Sequence, residues 1–534
     1  EDVVDRKKWV ANPLRRLLAP ARGQTLVLSA TQGQVTSLKV YSSATKLALD
    51  EASVTFDAQP LSAESASIPV VVTIIDRPPA EDGVEQDAVT LSLRMRFNPL
   101  TPAMPLQWSQ KEMSDDLREF YRALWSLDPS AFDDTADESV RRGTCALSKA
   151  KVAALNGAVG QPTSAYAAVA VNAEAEAIKS QWVTTDAAIT IAWKPMMECL
   201  LMQGVGGNLL DLVHLSNSYE WLFSESADRF PIGFEEEIAI AAEIVELTTS
   251  ATGKTIAIKS TLARDGVAFF VVLGRFFIRG DLGTEAGQRK FKKDDVALTV
   301  NLPNVIEAEV LRAKPWLSLV EGGAEKLGAD ATVRFSLACT EWPAEDGTLK
   351  IEVRGDVDVL ERNAEGYITP TKVGSVAFSQ DAMVSNPVVG YVERLRVASF
   401  AALDTQGKNS HRLFETEDET ATTLFGDDGY NMLAAPYEST APTDTVVYST
   451  ASSDLNPIHR SRYMAELAGL PRCIVHGMWT FATSRRVVEV NLCGGDQRNL
   501  RHFSASFQAM VMPGERLWTQ LRHIGFRRGR KVVE

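Results

Sequence analysis

The sequence predicts an α+β fold in which a helix leads into antiparallel strands, and it predicts that this unit occurs twice. Short β-branched runs bounded by turn residues dominate most of the chain, as half-buried strands require. Helical spacing is confined to a few segments. The third observation is an internal repeat: Leu212-Val213-His214-Leu215-Ser216-Asn217-Ser218-Tyr219 resembles Leu500-Arg501-His502-Phe503-Ser504-Ala505-Ser506-Phe507. The offset is 500 − 212 = 288, with Leu, His and two Ser identical. Each copy follows an apolar helical run ending in Gly, Trp193–Gly207 and Gly477–Gly495, and leads towards a Gly-basic turn, Gly253-Lys254 and Gly529-Arg530-Lys531.

The elements follow in order. Residues 24–112 read as strands, including Ile68–Ile75 and the alternating run Val89–Phe97. Asp115–Leu127 is helical, with Leu117, Phe120, Tyr121 and Leu124 on one face. Asp137–Ala168 is Ala-rich and mixed. Strands return from Phe234 to Arg279, with Gly253-Lys254 and Asp265-Gly266 as turns. Residues 296–400 are strand-rich, with turns at Asp346-Gly347 and Glu365-Gly366. Residues 401–450 hold nine acids against Lys408 and Arg412, dispersed among Thr, Gly and Pro, which reads as a connecting segment. Gly204-Val205-Gly206-Gly207 follows a helix and lacks the Lys-Ser/Thr of a phosphate loop, so it reads as a helix stop.

Composition narrows the function. The chain of 534 residues is 45% hydrophobic and 23% charged, as a soluble globular protein of several domains is. Lys+Arg is 55 and Asp+Glu 69, a net of −14, which argues against nucleic acid as the main partner. The balance is uneven: residues 451–534 carry 13 basic and six acidic groups, +7, leaving −21 on the rest. An acidic partner is drawn to such an end. The longest apolar stretch, Val267–Ile278, is too short for a membrane helix and contains Arg275. Cys145, Cys199, Cys339, Cys473 and Cys493 form no CxxC pair, which predicts free thiols in a reducing, cytoplasmic setting. His residues are too dispersed for a metal cluster, and no metal or other cofactor is expected. The start at Glu1, without Met or a leader pattern, suggests a piece of something longer.

The sharpest local signal is Ser452-Ser453-Asp454-Leu455-Asn456-Pro457-Ile458-His459, followed by Ile474-Val475-His476-Gly477-Met478. A site that moves protons both ways needs a base to take one and an acid to give one. His459 and Asp454 supply one of each, five residues apart. Pro457 between them enforces a non-helical turn that lets both reach one pocket. His459 is the candidate base and Asp454 the candidate acid; the motif does not order the two transfers, so the reverse assignment stays open. Gly477 opens an apolar helix, where a free N–H and the positive end of the dipole suit an oxygen that gathers negative charge. Asn456 is expected to hold the loop. His476 reads as structural to the turn. Packing roles are expected for His214 and His502, and no partner is legible for His411 or His523.

These residues resemble the MaoC-like hydratase/dehydratase family, whose pattern is Gly-Asp-x-Asn-Pro-(Ile/Leu)-His and then (Ile/Ala)-His-Gly-Met. With Leu210–Asn217, Phe120–Trp125 and Leu517–Lys531, the sequence resembles the dehydratase region of the fungal-type fatty acid synthase β subunit. The resemblance implies hot-dog units, each a long helix wrapped by an antiparallel sheet: a degenerate and a catalytic one forming a pseudo-dimeric pair, plus a further non-catalytic unit. The implied division is a strand-rich region at 1–130, a degenerate hot dog at 131–285, a middle unit at 286–400, the acidic segment at 401–445 and the catalytic hot dog at 446–534. The final strand is expected beyond Glu534 or on another chain. The implied partners are an acyl carrier protein, other synthase domains and the synthase α subunit, and the basic group Arg522, Arg527, Arg528, Arg530 and Lys531 is compatible with an acidic carrier. The resemblance implies that water is eliminated from a carrier-bound 3-hydroxyacyl thioester, with Asp454 and His459 moving the protons and Gly477 facing the thioester oxygen; a MaoC-type 2-enoyl-CoA hydratase and a non-catalytic acyl-binding scaffold are the alternatives.

Ser453 departs from the pattern's Gly, which predicts a rearranged loop. The degenerate copy reads Ala158-Val159-Gly160-Gln161-Pro162-Thr163-Ser164-Ala165-Tyr166 where the dyad would fall, and Ile191-Ala192-Trp193 at its expected helix start. It lacks both acid and base, and it is expected to pack against the active copy and help shape an acyl tunnel.

Overall fold

The computed structural model describes residues 24–31, 34–42, 52–56, 68–76, 87–97, 110–127, 140–159, 183–202, 205–222, 232–250, 252–280, 291–344, 348–362, 368–395, 422–424, 430–433, 435–461, 464–465, 468–527 and 530–534. The turns at 346–347 and 365–366, His411, Gly529 and most of the stretch 158–166 lie outside the described residues. Two compact units emerge: residues 1–244, 249–288 and 438–519, and residues 245–248, 289–437 and 520–534.

The first unit opens with antiparallel pairs of strands. β1 (Gln24–Thr31) pairs with β2 (Gln34–Ser42), and β3 (Ala52–Phe56), β4 (Ile68–Asp76) and β5 (Val89–Phe97) form a three-stranded sheet. Helix α1 (Gln110–Leu124) follows and buries Leu117, Phe120, Tyr121 and Leu124, the face the sequence spacing predicts. Next come β6 (Val140–Cys145), α2 (Lys149–Val159), α3 (Thr185–Ile191), α4 (Trp193–Leu200) and β7 (Leu212–Trp221). β8 (Ile238–Ser250), β9 (Gly253–Arg264) and β10 (Val267–Arg279) complete the antiparallel order β6-β8-β9-β10-β7. Gly253 has no substitute at its turn: φ is +151°, and a Cβ would sit 2.2 Å from the Ile278 carbonyl oxygen.

The first copy's helix begins earlier than its sequence suggests. It starts at Thr185, with Asp186 in the first turn where the helix dipole favours an acid, so Ile191-Ala192-Trp193 is not its start. It is also broken: α3 stops at Ile191 and α4 resumes at Trp193. Pro195 explains the break, because it has no N–H to give to the Ile191 carbonyl.

In the second unit β11 (Phe291–Asn301) and α5 (Val305–Arg312) lead into β12 (Leu317–Leu319), β13 (Thr332–Pro343), β14 (Leu349–Arg362) and β15 (Ile368–Met383). The strands lie in the antiparallel order β11-β13-β14-β15-β12 over a core that includes Phe335, Ile351, Val357, Leu311 and Val392. The short strands β16 (Thr422–Leu424) and β17 (Tyr430–Asn431) belong to this unit too.

Back in the first unit stand α6 (Val446–Ser452), the 16-residue α7 (Gly477–Leu492) and β18 (His502–Ser506). In the second unit the chain closes with β19 (Arg522–Arg527) and β20 (Arg530–Val533), which pair with each other. No helix among the described residues is long and apolar enough to cross a membrane.

The repeat is laid out symmetrically. β18 pairs antiparallel with β7, and Ser504 faces Ser218 while Ser506 faces Ser216. Asn217 faces Ala505, its own equivalent at 217 + 288 = 505, so a pseudo-twofold axis passes through this pair. The likeness extends upstream. Asn208 and Asp496, also 288 apart, each cap a 3-10 turn by accepting the N–H two residues on. Aromatic rings pack across the axis: Tyr219 lies 6.3 Å from Phe481 and 6.4 Å from Phe503. His214 packs as expected, stacked 4.5 Å from Phe276, whereas His502 is exposed because alternation at β18 turns it to solvent.

A buried ion cluster joins the copies. Arg485 of α7 donates from Nε and Nη2 to the two carboxylate oxygens of Asp186 on α3, at 2.8 and 2.9 Å, and from Nη1 to Glu489 at 2.6 Å. Burial opposes the charge on Asp186, but Arg485 and Arg486 hold its carboxyl below the usual range. Removing Arg485 takes its bonds from two buried carboxylates and leaves Asp186 with Arg486, whose Nε is 3.3 Å away. Arg485→Ala is therefore expected to lower the unfolding free energy by about 3–5 kcal/mol, measured by urea denaturation. The lowered Asp186 carboxyl gives stability that is present above its unfolded pKa and is lost as pH falls through the folded value.

Candidate active site

The motif residues converge in the first unit on two short segments. α6 ends at Ser452, and Ser453 follows in the left-handed conformation at φ 60° and ψ 14°. Ser453 thus holds a backbone that Gly takes without a Cβ penalty, and it bears that strain. Asp454 comes next, its carbonyl receiving the Ser449 hydroxyl and its N–H reaching Ser452 Oγ at 3.2 Å. Asn456 then caps a 3-10 turn, Pro457–His459, that ends at His459. Pro457 suits the first position of this turn, where its missing N–H leaves no bond unmade.

The second segment, Ile474–Gly477, supplies the other wall. His459 Nδ1 lies 2.8 Å from the Ile474 carbonyl, which can only accept, so Nδ1 carries the proton and Nε2 is left with a lone pair. His476 Nε2 likewise donates to the Asp454 carbonyl at 3.2 Å. The two imidazoles stack at 3.7 Å and 25°. Arg460 reaches the Leu455 carbonyl through Nε and Nη2 at 3.2 and 3.0 Å, and the Thr445 hydroxyl donates to the His459 carbonyl.

Asp454 and His459 are 8% and 7% exposed, and burial moves them in opposite directions. Desolvation pushes the Asp454 carboxyl up to about 7, against the smaller pull of the Asn456 N–H and Arg460. Desolvation also pushes His459 down to about 4, against its bond to Ile474. Between those values the carboxyl is protonated and the imidazole neutral, an acid and a base side by side. A carboxyl oxygen of Asp454 and one ring nitrogen each of His459 and His476 all lie within 4.8 Å of one another.

Such a trio suggests a metal, but its geometry does not fit one ion. Imidazole lone pairs lie in the ring plane. Two rings 3.7 Å apart and only 25° from parallel cannot both direct a lone pair at a point about 2 Å from each nitrogen.

Gly477 is the first residue of α7, and the Phe507 ring lies 3.3 Å from where its Cβ would be. Beside Asp454 a narrow cavity opens, lined by Ile189, Thr190 and Trp193 from the first copy and by Tyr448, Met478 and Phe481 from the second. Two features were not legible beforehand. Tyr121 of α1 gives its hydroxyl to Asn456 Oδ1 at 3.2 Å; its burial was readable from spacing, but its partner 335 residues away was not. The stacking of His476 on His459 needed the fold to bring two segments together.

Residues 413–534 match the family model described as MaoC like domain. Residues 1–128 match the fatty acid synthase meander beta sheet domain, and 291–392 the insertion domain of fatty acid synthase subunit beta. The fatty acid synthase subunit beta of Aspergillus oryzae is 30% identical over 65% of this chain and 16% of its own length. Those of Schizosaccharomyces pombe and Saccharomyces cerevisiae are 25% and 23% identical over 98% and 99% of this chain, and over 23% of their own length in each case. The chain thus spans less than a quarter of these relatives. Among solved structures, a MaoC-like dehydratase from Phytophthora capsici overlaps 76% of this chain and 95% of its own at 11% identity and a TM-score of 0.38. The resemblance read from the sequence holds: a MaoC-like domain and two further regions of the fatty acid synthase β subunit lie in one chain.

The strain at Ser453 gives a test of the loop. Ser453→Gly is expected to raise the unfolding free energy by about 1 kcal/mol, measured by chemical denaturation, because Gly adopts the left-handed region without the Cβ penalty.

Proposed function

We propose that the chain carries a 3-hydroxyacyl thioester dehydratase of a type I fatty acid synthase, acting on acyl chains held by an acyl carrier protein. The observation that carries this reading is the buried pair: a neutral His459 with Nε2 free beside an Asp454 whose carboxyl is held protonated near neutral pH. His459 Nε2 takes the C2 proton, and the electron pair left behind forms the double bond as the C3–O bond breaks. Asp454 gives its proton to that oxygen, and water leaves the trans-2-enoyl thioester. The proton on His459 then returns to the Asp454 carboxylate and resets the site. The Gly477 N–H, at the positive end of a 16-residue helix, is the donor for the thioester oxygen as negative charge gathers on it.

Residues 131–285 are the degenerate hot dog in this reading and 446–534 the catalytic one, a division that the symmetric pairing of β7 with β18 favours. The region 1–130, the middle unit 286–400 and the segment 401–445 complete the organisation. Both copies line the cavity beside Asp454, so the silent copy shapes the place where the acyl chain lies. The two pieces of synthase β subunit that precede the MaoC-like domain favour a carrier-bound substrate and an α-subunit partner over free coenzyme A thioesters.

With 3-hydroxybutyryl carrier protein as substrate, Asp454→Asn and His459→Ala are each expected to lower kcat by about 10²–10⁴-fold. Unchanged turnover in both variants would remove the assignment. A lower kcat/KM for the carrier-bound than for the coenzyme A thioester would favour the hydratase alternative.

The pH profile follows from the same pair. Activity needs His459 neutral and Asp454 protonated, so kcat/KM is expected to fall below about pH 4 and above about pH 7. A profile that rises from pH 6 to 9 would contradict it.

A further inference from the structure

We infer that Tyr121, on a helix outside both copies of the repeat, is a positioning residue that clamps the turn carrying Asp454 and His459; the inference rests on the dehydratase reading. Among the described residues the turn 454–459 is otherwise held by its neighbours: Thr445, Ser449, Arg460, Ser461 and His476 donate to it, and Ser452 and Ile474 accept from it. Among the described residues Tyr121 supplies the long-range bond, and it goes to a residue linked to both Asp454 and His459.

Asn456 has that place because of what its atoms do. Its backbone N–H donates to Asp454 Oδ1 at 3.2 Å, and its side chain caps the 3-10 turn that ends at His459. The cap is the Ile458 N–H on Asn456 Oδ1 at 3.4 Å, a long bond that would hold the amide loosely by itself. The Tyr121 hydroxyl fills the other lone pair of the same oxygen at 3.2 Å. With both lone pairs engaged, the side-chain carboxamide is fixed, and with it the start of the turn that ends at His459.

Tyr121 is equipped to act as a fixed point. It is 1% exposed, and its ring stacks on Trp125 at 5.0 Å and 25° with the edge of Phe120 at 5.6 Å. Removing the hydroxyl while keeping the ring leaves this packing in place, so Tyr121→Phe separates the clamp from the helix core.

The test combines kinetics with a measurement that needs no turnover. With 3-hydroxybutyryl carrier protein, Tyr121→Phe is expected to lower kcat by about three- to tenfold, the range of one hydrogen bond, with KM within about twofold. The pair Tyr121→Phe and Asn456→Ala together is expected to be no slower than Asn456→Ala alone, because the hydroxyl acts only through that amide. In hydrogen exchange the Ile458 amide is expected to exchange faster in Tyr121→Phe at an unchanged thermal midpoint. An unchanged kcat, effects that multiply in the double variant, or unchanged exchange at Ile458 would each overturn the clamp. If the unmodified chain does not turn over the thioester, the dehydratase reading fails, and the exchange measurement still decides whether Tyr121 holds the turn.

Discussion

A carboxyl and an imidazole buried within a few ångströms of each other are the constraint on which the rest of this site depends. Burial costs each of them its charged form, and they respond oppositely because one is charged when it loses a proton and the other when it gains one. The outcome is a neutral pair, with Asp454 raised to about 7 and His459 lowered to about 4. A neutral pair is cheaper to hold in the core than two ions, yet it stays poised to move protons in opposite directions. Such a pair is useful only if it cannot swing, and this explains the density of hydrogen bonds on the loop. Ser449, Ser452, Thr445, Arg460 and His476 all fasten the backbone of the turn, while Ile474 fixes which nitrogen of His459 carries its proton.

The duplicated architecture supplies the burial. Two strands related by the repeat pair across a pseudo-twofold axis, so each copy covers an edge that the other would leave open. The copies have diverged where chemistry is concerned. One begins its helix at Gly477, without a side-chain cap. The other begins at Thr185 and places Asp186 in the first turn, where it receives Arg485 from the opposite helix. The helix start that could serve an oxyanion in one copy thus anchors an ion cluster in the other. That cluster holds the two helices together next to the cavity that both of them line.

The sequence by itself determined which residues are candidates for the site, and the alternation of structure. Asp454, Asn456, His459 and Gly477 stand within one short stretch, and Pro457 dictates a turn between acid and base whatever surrounds it. The strands β8 to β10 were readable because their turn residues and apolar runs are local signals, and the repeat because four identical residues recur at one offset. The helix break at Ala192 was missed because Pro195 acts four residues upstream, through a bond it cannot make. The exposure of His502 was missed because a strand's period tells which residues share a face and not which face is covered. The left-handed backbone of Ser453 was missed because a Ser gives no sign that its surroundings force it there. Only the tertiary structure decided that Tyr121 meets Asn456, that Arg485 meets Asp186, and that His476 lies flat on His459. Each of these contacts joins segments far apart or separately folded in the chain, where no spacing rule operates, and each depends on burial, which a sequence states only in outline and packing makes specific.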